Sequence, residues 1–155
     1  MSAVRTPFGR FGGSLRDIDY YELGAIPMRE VLKRVNVAPN KVDEVFWGGG
    51  DTSACRDPYT PVAGRQSLIR AGLPHETVSI SFDMACVSAM NAVRLAALEM
   101  KAGEIETAIC GGATSFGQSP LVVRNVRFNG FRLGDVKMED PLYALGYKDF
   151  NPVSV

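Results

Sequence analysis

Short apolar runs alternate with stretches of helical periodicity along this chain, and that alternation constrains the fold more than any other feature. The runs at residues 42–50, 77–82 and 107–110 have the character of strands, and glycine or a tight turn follows each of them. Strands separated by helices form βαβ units, in which the sheet is mostly parallel and helices cover its faces. We therefore expect an α/β fold with a mostly parallel sheet flanked by helices.

The first predicted helix begins near residue 20. Asp19 and Glu22 have the spacing of a capping box, and apolar residues then recur at helical intervals as far as Val35. Pro27 lies inside this pattern. Because proline lacks an N–H and its ring clashes with the preceding turn, the helix is expected to kink or to start again there.

Two further helices have clear start and stop signals. The second is expected to have Thr60 as N-cap and Pro61 as its first residue, and to end at Gly72. The third ends at Gly103, and its alanine-rich stripe predicts a helix buried close to its neighbours. That stripe consists of Ala89, Ala92, Val93, Ala96, Ala97 and Met100.

The regular alternation is lost near Ser119. Residues 1–118 are expected to form the α/β domain, and residues 119–155 an extension with polar turns and at most one short helix, around residues 141–145. Basic side chains outnumber acidic ones early in this extension, and we interpret them first as a solvated face and second as a contact for phosphate groups. They are Arg124, Arg127, Arg132 and Lys137.

The charge balance excludes several classes of partner. The chain carries 17 basic and 17 acidic side chains, and its isoelectric point is about 6.6. Such a surface has no overall attraction for nucleic acid or for an anionic membrane. No apolar stretch is long enough to span a bilayer, and the first residues do not resemble a secretory signal. We expect a soluble, cytoplasmic protein.

Three cysteines and a single histidine limit the available chemistry. Cys55, Cys86 and Cys110 are odd in number, far apart and without a histidine pair nearby, so neither a disulfide framework nor a metal site is expected. The glycines at residues 48–50 do not continue into a nucleotide-binding motif, and we interpret them as a strand end that another backbone passes closely. A mechanism that needs a histidine base must use His75 or another polypeptide.

Cys86 is the residue best placed for chemistry. It lies where the run at residues 77–82 turns into the third helix, so its sulfur is expected at the carboxyl edge of the sheet, beside the N–H groups of the helix start. The positive end of a helix dipole favours the thiolate, the nucleophilic form of cysteine. The alternative is a small buried residue without a role, which fits Cys110 better. Cys55 lies in a polar loop, and nothing beside it would activate its thiol.

Five segments, in order and at compatible spacing, resemble the thiolase family. Together they extend from one end of the chain to the other, and the resemblance is to the N-terminal half of a thiolase with the incomplete beginning of its loop domain at residues 119–155. The family has a further strand just before the first of these segments. They are AVRTPFGRFGGSL (3–15), GRQSLIRAGLP (64–74), DMACVSAMNAV (83–93), ICGGATSFGQSP (109–120) and RLGDVKMED (132–140).

The resemblance implies an acyltransferase like the acetyl-CoA acetyltransferases and 3-ketoacyl-CoA thiolases of fatty acid metabolism. It assigns to Cys86 the thiolate that attacks the keto carbon of a 3-oxoacyl-CoA. It also implies coenzyme A thioesters as substrates and no permanently bound cofactor, and it assigns no residue to CoA binding. No metal is expected, because no carboxylate or histidine cluster has metal-ligand spacing. Asp83 and Ala89 stand where thiolases commonly have asparagine and glycine, and these departures bear on acyl chain length and rate.

The family's other catalytic groups lie in a C-terminal half that these residues do not include. They are a histidine in a Gly-His-Pro segment and a cysteine in a Cys-x-Gly segment, and His75 is a poor substitute because the resemblance puts it in a surface turn. We expect a second polypeptide to supply that half. The resemblance also implies a dimer or tetramer, in which residues 77–82 pair across the dimer and apolar loop residues form a further interface. These loop residues are Leu121, Val122, Val123 and Phe128.

Two alternatives stay open. A β-ketoacyl synthase or a hydroxymethylglutaryl-CoA synthase also carries a cysteine at a helix start, although the segment at residues 3–15 favours a thiolase. The other alternative is a noncatalytic subunit that binds CoA or a protein partner without turnover.

Overall fold

The computed structural model describes residues 1–49, 62–124, 126–127 and 133–144. These residues form α-helices and β-strands in alternation, with single-turn 3₁₀ helices at Pro39–Lys41 and Phe116–Gln118. The elements are α1 (Tyr20–Val35), β1 (Glu44–Gly49), α2 (Ala63–Ala71), β2 (Val78–Phe82), α3 (Ser88–Ala102), β3 (Ala108–Ala113) and α4 (Pro141–Ala144).

The three described strands form one parallel sheet in the order β2-β1-β3. The central strand, β1, pairs with both neighbours, and Glu44 at its start aligns with Val78 on one side and Ala108 on the other. Helices α2 and α3 connect consecutive strands, so the strands run in the same direction. The carboxyl ends of the strands therefore meet at one edge of the sheet. The expected parallel α/β arrangement is confirmed.

Helices cover both faces of the sheet, and β1 supplies side chains to each. Val45 and Trp47 are buried in a core shared with α1 and α2, whereas Phe46 packs against Ala92 and Ala96 of α3 on the opposite face. This alternation follows from the two-residue period of a strand. It makes β1 buried on both faces.

Trp47 fits between the helices because its neighbours are glycines. A Cβ atom on Gly64 of α2 would lie 2.7 Å from the Cβ of Trp47, and one on Gly111 of β3 would lie 2.7 Å from its ring. A Cβ on Gly24 of α1 would come within 3.0 Å of the same ring. These glycines allow α1 and α2 to approach the sheet closely.

Helix α1 begins as expected but does not start again at Pro27. Asp19 is the N-cap, and its side chain accepts a hydrogen bond from the N–H of Tyr21 at 2.8 Å. The helix continues through Pro27 to Val35. Proline removes one backbone hydrogen bond, but Ala25 and Met28 on either side are buried in the core, and this burial holds the helix together across the proline.

Glycine ends both of the next two helices, as predicted. Gly72 follows α2 and Gly103 follows α3, each in the left-handed conformation that glycine adopts readily. Helix α2 begins at Ala63. The predicted cap Thr60 and first residue Pro61 lie outside the described residues.

The prediction that the alanine stripe of α3 is buried as a whole was wrong. Ala92 and Ala96 are buried against Phe46, but the other members of the stripe are exposed in the described part of the chain. A helix that packs on one side of a sheet buries only the narrow face that contacts it. The exposed members are Ala89, Val93, Ala97 and Met100.

The segment before α1 is tied to the residues after β3. The side-chain amide of Gln118, which is buried, donates hydrogen bonds to the carbonyl groups of Arg16, at 3.0 Å, and of Ile18. The two ends of this contact are about a hundred residues apart in sequence. It holds residues 16–18 against the segment that follows β3.

Beyond Ser119 the described residues contain one antiparallel bridge and one short helix. Val122 and Glu139 exchange backbone hydrogen bonds of 2.9 and 2.8 Å. The short helix expected near residues 141–145 is α4, Pro141–Ala144. The domain boundary at residues 118 and 119 stays a prediction. No helix in the described part of the chain is long and apolar enough to cross a membrane, and the cytoplasmic location stays a prediction.

Candidate active site at the start of α3

Cys86 lies in the turn that connects the carboxyl end of β2 to the first residue of α3. Its side chain is exposed and forms no disulfide. The N-cap position of α3 is occupied by Val87, whose side chain offers no acceptor to the helix N–H groups. The helix start therefore has no side-chain cap, and Cys86 lies two residues before it, near the positive end of the α3 dipole. The predicted placement of Cys86 is confirmed, and its role as nucleophile stays a prediction.

The turn just before Cys86 has an unusual backbone. Ala85 has a φ of 51°, in the left-handed region that residues with a side chain rarely adopt. The carboxylate of Asp83 accepts a hydrogen bond from the N–H of Ala85 at 2.7 Å, which holds the turn from its β2 side. Asp83 therefore stabilises the turn through this hydrogen bond in addition to carrying a negative charge.

Ser88 holds the same turn from its α3 side. Its hydroxyl accepts a hydrogen bond from the N–H of Met84 at 2.8 Å and donates one to the carbonyl of Ala85 at 2.7 Å. The side chain is buried. Sequence pattern alone does not single out Ser88, because a serine in the first turn of a helix is common and its partners depend on the fold of the turn.

Gly48 of the central strand lies directly against the first turn of α3. A Cβ atom on Gly48 would come within 2.5 Å of the Ser88 Cβ and 2.8 Å of the Ala89 nitrogen. The predicted close passage of another backbone beside this glycine is therefore confirmed. Gly49 ends β1, and Gly50 lies outside the described residues.

His75 does not belong to this site. It lies before β2, whereas Cys86 follows β2, so the length of the strand, roughly 17 Å for five residues, separates them. The His75 side chain is exposed and its Nε2 lies 3.0 Å from Glu76 Oε1. The interpretation of His75 as a solvated turn residue is confirmed.

Cys110, the other cysteine in the described residues, forms no disulfide with Cys86. Cys110 is on β3, half-buried on the face covered by α3, and this burial raises the pKa of its thiol. A protonated thiol is a poor nucleophile, so Cys110 fits a packing role. Cys55 lies outside the described residues.

The basic residues after Ser119 are only in part available to a ligand. Arg124 is paired with Glu139, with 2.6 Å between Nη2 and Oε2. Arg127 and Lys137 are exposed. Arg132 and the apolar Phe128 lie outside the described residues. The other three apolar loop residues, Leu121, Val122 and Val123, are exposed as expected.

A second titratable group lies at the opposite edge of the sheet. Glu44, at the start of β1, is buried and shares a hydrogen bond with Glu99 of α3. Burial, together with this acidic neighbour, raises the pKa of Glu44 to about 7. A single acidic residue at the start of a strand does not predict such a pair.

No group of His, Cys, Asp or Glu side chains in the described residues has the arrangement of a metal site.

Comparison with known proteins agrees with this architecture. The family described as "Thiolase, N-terminal domain" matches residues 1–152. A probable acetyl-CoA acyltransferase of Staphylococcus epidermidis is 37% identical over 147 residues, which are 95% of this chain and 36% of the relative. An acetyl-CoA acetyltransferase of Cupriavidus necator is 37% identical over 150 residues, which are 96% of this chain and 37% of the relative.

The similarity is also seen when the chain is superimposed on solved structures. The crystal structure of human mitochondrial 3-ketoacyl-CoA thiolase in complex with CoA superimposes with a TM-score of 0.82 at 34% identity, covering 94% of this chain and 36% of that one. The chain therefore spans about a third of the length of the relatives it matches.

Proposed function

Because the chain belongs to the thiolase family, we propose that it is the nucleophile-bearing N-terminal part of an acyltransferase that acts through a thioester on Cys86. The observation that carries the proposal is the exposed thiol of Cys86 at the uncapped start of α3. A thiol at this position is accessible to a substrate, and a helix start is a common place for cysteine nucleophiles.

In the cleavage direction, the Cys86 thiolate attacks the keto carbon of a 3-oxoacyl-CoA. The C–S bond forms and the carbonyl electrons move to oxygen, to which the Cys86 N–H can donate a hydrogen bond. When the carbonyl reforms, the C2–C3 bond breaks, and its electron pair stays on C2, which takes a proton to give acetyl-CoA. The thiolate of free CoA then attacks the acyl group on sulfur and releases Cys86. Coenzyme A is thus a substrate, and condensation of two acetyl-CoA molecules reverses these steps.

The proton transfers need a group other than Cys86 itself, and no histidine lies near Cys86 in the described residues. The one histidine of the chain, His75, lies beyond the other end of β2. We propose that a second polypeptide carries the C-terminal thiolase half with its Gly-His-Pro and Cys-x-Gly segments. Residues 119–155 would then form part of the loop domain of the assembly.

The exposed side of α3 supports such a partner. Met90 and Val93 are 70% and 58% exposed on the helix that begins beside Cys86. An apolar helix face next to a reactive thiol favours coverage by another folded unit, which would also bring its catalytic groups to the sulfur. Strand β2 is at the edge of the described sheet, with Val78 and Ile80 exposed, which suits the proposed pairing across a dimer.

The test combines the chain with a polypeptide bearing the C-terminal thiolase half. Thiolysis of acetoacetyl-CoA is measured, and the acyl adduct is located by peptide mass spectrometry. We expect activity only in the assembly, an acyl group on Cys86, and loss of both in Cys86→Ala. Cys110→Ala is the matched control, because it removes a thiol that is half-buried on the sheet, and it should keep activity.

Other outcomes would contradict the proposal in distinct ways. Full activity of the chain alone would refute the need for a second polypeptide. Unchanged turnover by a Cys86→Ala assembly would favour the noncatalytic role. Acylation of Cys86 without thiolysis would favour a condensing enzyme such as a β-ketoacyl synthase.

A further inference from the structure

Ser88 joins the two sides of the turn that contains Cys86. We propose that Ser88 is a positioning residue whose hydroxyl fixes the direction of the Cys86 N–H, and this inference rests on the proposed nucleophilic role of Cys86. No step of the proposed reaction uses the Ser88 side chain directly.

The geometry of the peptide group carries this inference. The carbonyl of Ala85 and the N–H of Cys86 belong to the same peptide unit, which is planar and trans, so the two bonds point in opposite directions. The Ser88 hydroxyl donates to that carbonyl at 2.7 Å, and the Ser88 N–H lies 3.2 Å from it. Fixing the carbonyl of Ala85 on one side therefore fixes the N–H of Cys86 on the other.

The turn needs this restraint because Ala85 is in the left-handed region. Rotation of the peptide between Ala85 and Cys86 would relieve an unfavourable backbone conformation and would turn the Cys86 N–H away. The hydroxyl of Ser88 opposes that rotation from both directions, since it also accepts from the N–H of Met84 at 2.8 Å. Asp83 restrains the preceding peptide through the Ala85 N–H.

The position of Ser88 itself is set by the central strand. Its side chain is 4% exposed and lies against Gly48, where even a methyl group would overlap the Ser88 Cβ. The hydroxyl is therefore held by packing and is shielded from water. Its two hydrogen bonds keep one geometry, which makes the Cys86 N–H a preorganised donor.

Two reactions of the Cys86 sulfur distinguish an effect on the direction of its N–H from an effect on the reactivity of the thiol. Acylation by a thioester passes through an oxyanion that needs the Cys86 N–H, whereas alkylation by iodoacetamide forms no oxyanion. In the assembly with the C-terminal half, Ser88→Ala is expected to slow acylation of Cys86 about 10- to 100-fold. The alkylation rate of Cys86 should stay within about twofold, because the thiol and the helix dipole are unchanged.

Matched variants complete the experiment. Ser67→Ala removes a hydroxyl that is equally buried and has no hydrogen-bond partner in the described residues, and it should leave both rates unchanged. Ser88→Thr retains the hydroxyl and should acylate at nearly the parent rate. Alkylation of the half-buried Cys110 reports in the same samples whether the fold is intact.

Each other result overturns the inference. Three results would assign Ser88 to packing. The first is an equal loss of acylation in Ser88→Ala and Ser88→Thr, and the second is a parallel loss of acylation and alkylation at Cys86. The third is rapid alkylation of Cys110 in Ser88→Ala. Parent-level acylation in Ser88→Ala would remove any role. Absence of Cys86 acylation in the parent assembly contradicts the proposed function itself, and it is seen before any Ser88 variant is made.

Discussion

Gly24 of α1 and Ser67 of α2 lie in direct contact, so that a methyl group on Gly24 would overlap the Ser67 hydroxyl and approach the ring of Trp47. The hydroxyl of Ser67 is fully buried and has no partner within the described residues. Small side chains at this crossing let both helices reach the same face of the sheet. Stability at the crossing therefore depends on volume more than on hydrogen bonding.

The first prediction concerns this crossing. Gly24→Ala should lower the free energy of unfolding by about 1–3 kcal/mol, because the added methyl group overpacks the contact. Ser67→Ala alone should be neutral or slightly stabilising, because it removes a buried hydroxyl without a partner. The double variant should recover part of the loss. Urea denaturation of all four proteins measures these differences, and equal stability of Gly24→Ala and the parent would contradict the prediction.

The second prediction concerns pH and the pair formed by the buried Glu44 and the half-buried Glu99. The pKa of Glu44 is raised from 4.5 to about 7, so between these values the folded chain binds a proton that the unfolded chain releases. Stability is therefore fully present below about pH 4.5 and is lost as the pH rises through about 7, by about 2–3 kcal/mol from this pair.

Glu44→Gln tests that assignment. The amide keeps a hydrogen-bond donor for Glu99 but does not titrate, so the decline in stability between pH 5 and pH 8 should flatten. Denaturation midpoints at several pH values measure the effect. Asp43→Asn is the control, because the pKa of Asp43 is lowered by the N–H groups of Glu106 and Thr107, and its stabilisation is lost only as the pH falls through that lowered pKa. An unaltered pH profile in Glu44→Gln would contradict the pairing of Glu44 with Glu99.

The third prediction concerns the charge of Asp83. Asp83→Asn keeps an oxygen that accepts the Ala85 N–H but removes a negative charge three residues from Cys86. Removing a like charge favours the thiolate, so alkylation of Cys86 near neutral pH should become about two- to threefold faster, a modest effect because the turn is exposed. Asp83→Ala should instead lower the rate of acylation, since it also loses the hydrogen bond. Slower alkylation in Asp83→Asn would refute the electrostatic reasoning.

The fourth prediction ranks two thiols. Iodoacetamide should label Cys86 at least about tenfold faster than Cys110 at neutral pH, because Cys86 is exposed whereas burial of Cys110 raises the pKa of its thiol. Peptide mass spectrometry over time separates the two sites. Comparable labelling rates in the folded protein would contradict the described burial of β3.

The sequence pattern predicted the features that depend on interactions between neighbouring residues in the chain. Asp19, Gly72 and Gly103 mark helix ends because caps need particular residues within one turn. The position of Cys86 follows from the order of strand, turn and helix. Each of these features needs only a few consecutive residues for its prediction.

Features that depend on contacts between distant residues were not predictable in the same way. Helical spacing identified α3, but it does not tell which side of the helix meets the sheet, so the exposure of Val93 and Met100 was missed. The continuity of α1 through Pro27 depends on burial of its neighbours. The pairing of Glu44 with Glu99 and the role of Ser88 in the turn exist only once α3 has packed on β1.

The hydrogen bonds from Gln118 to Arg16 and Ile18 have a consequence for synthesis on the ribosome. Residues 16–18 emerge about a hundred residues before the amide that anchors them, so this segment stays undocked until residue 118 has been translated. When a ribosome pauses before residue 118, a protease should cleave the nascent chain near residues 16–18. When it pauses well after residue 118, the same residues should be protected.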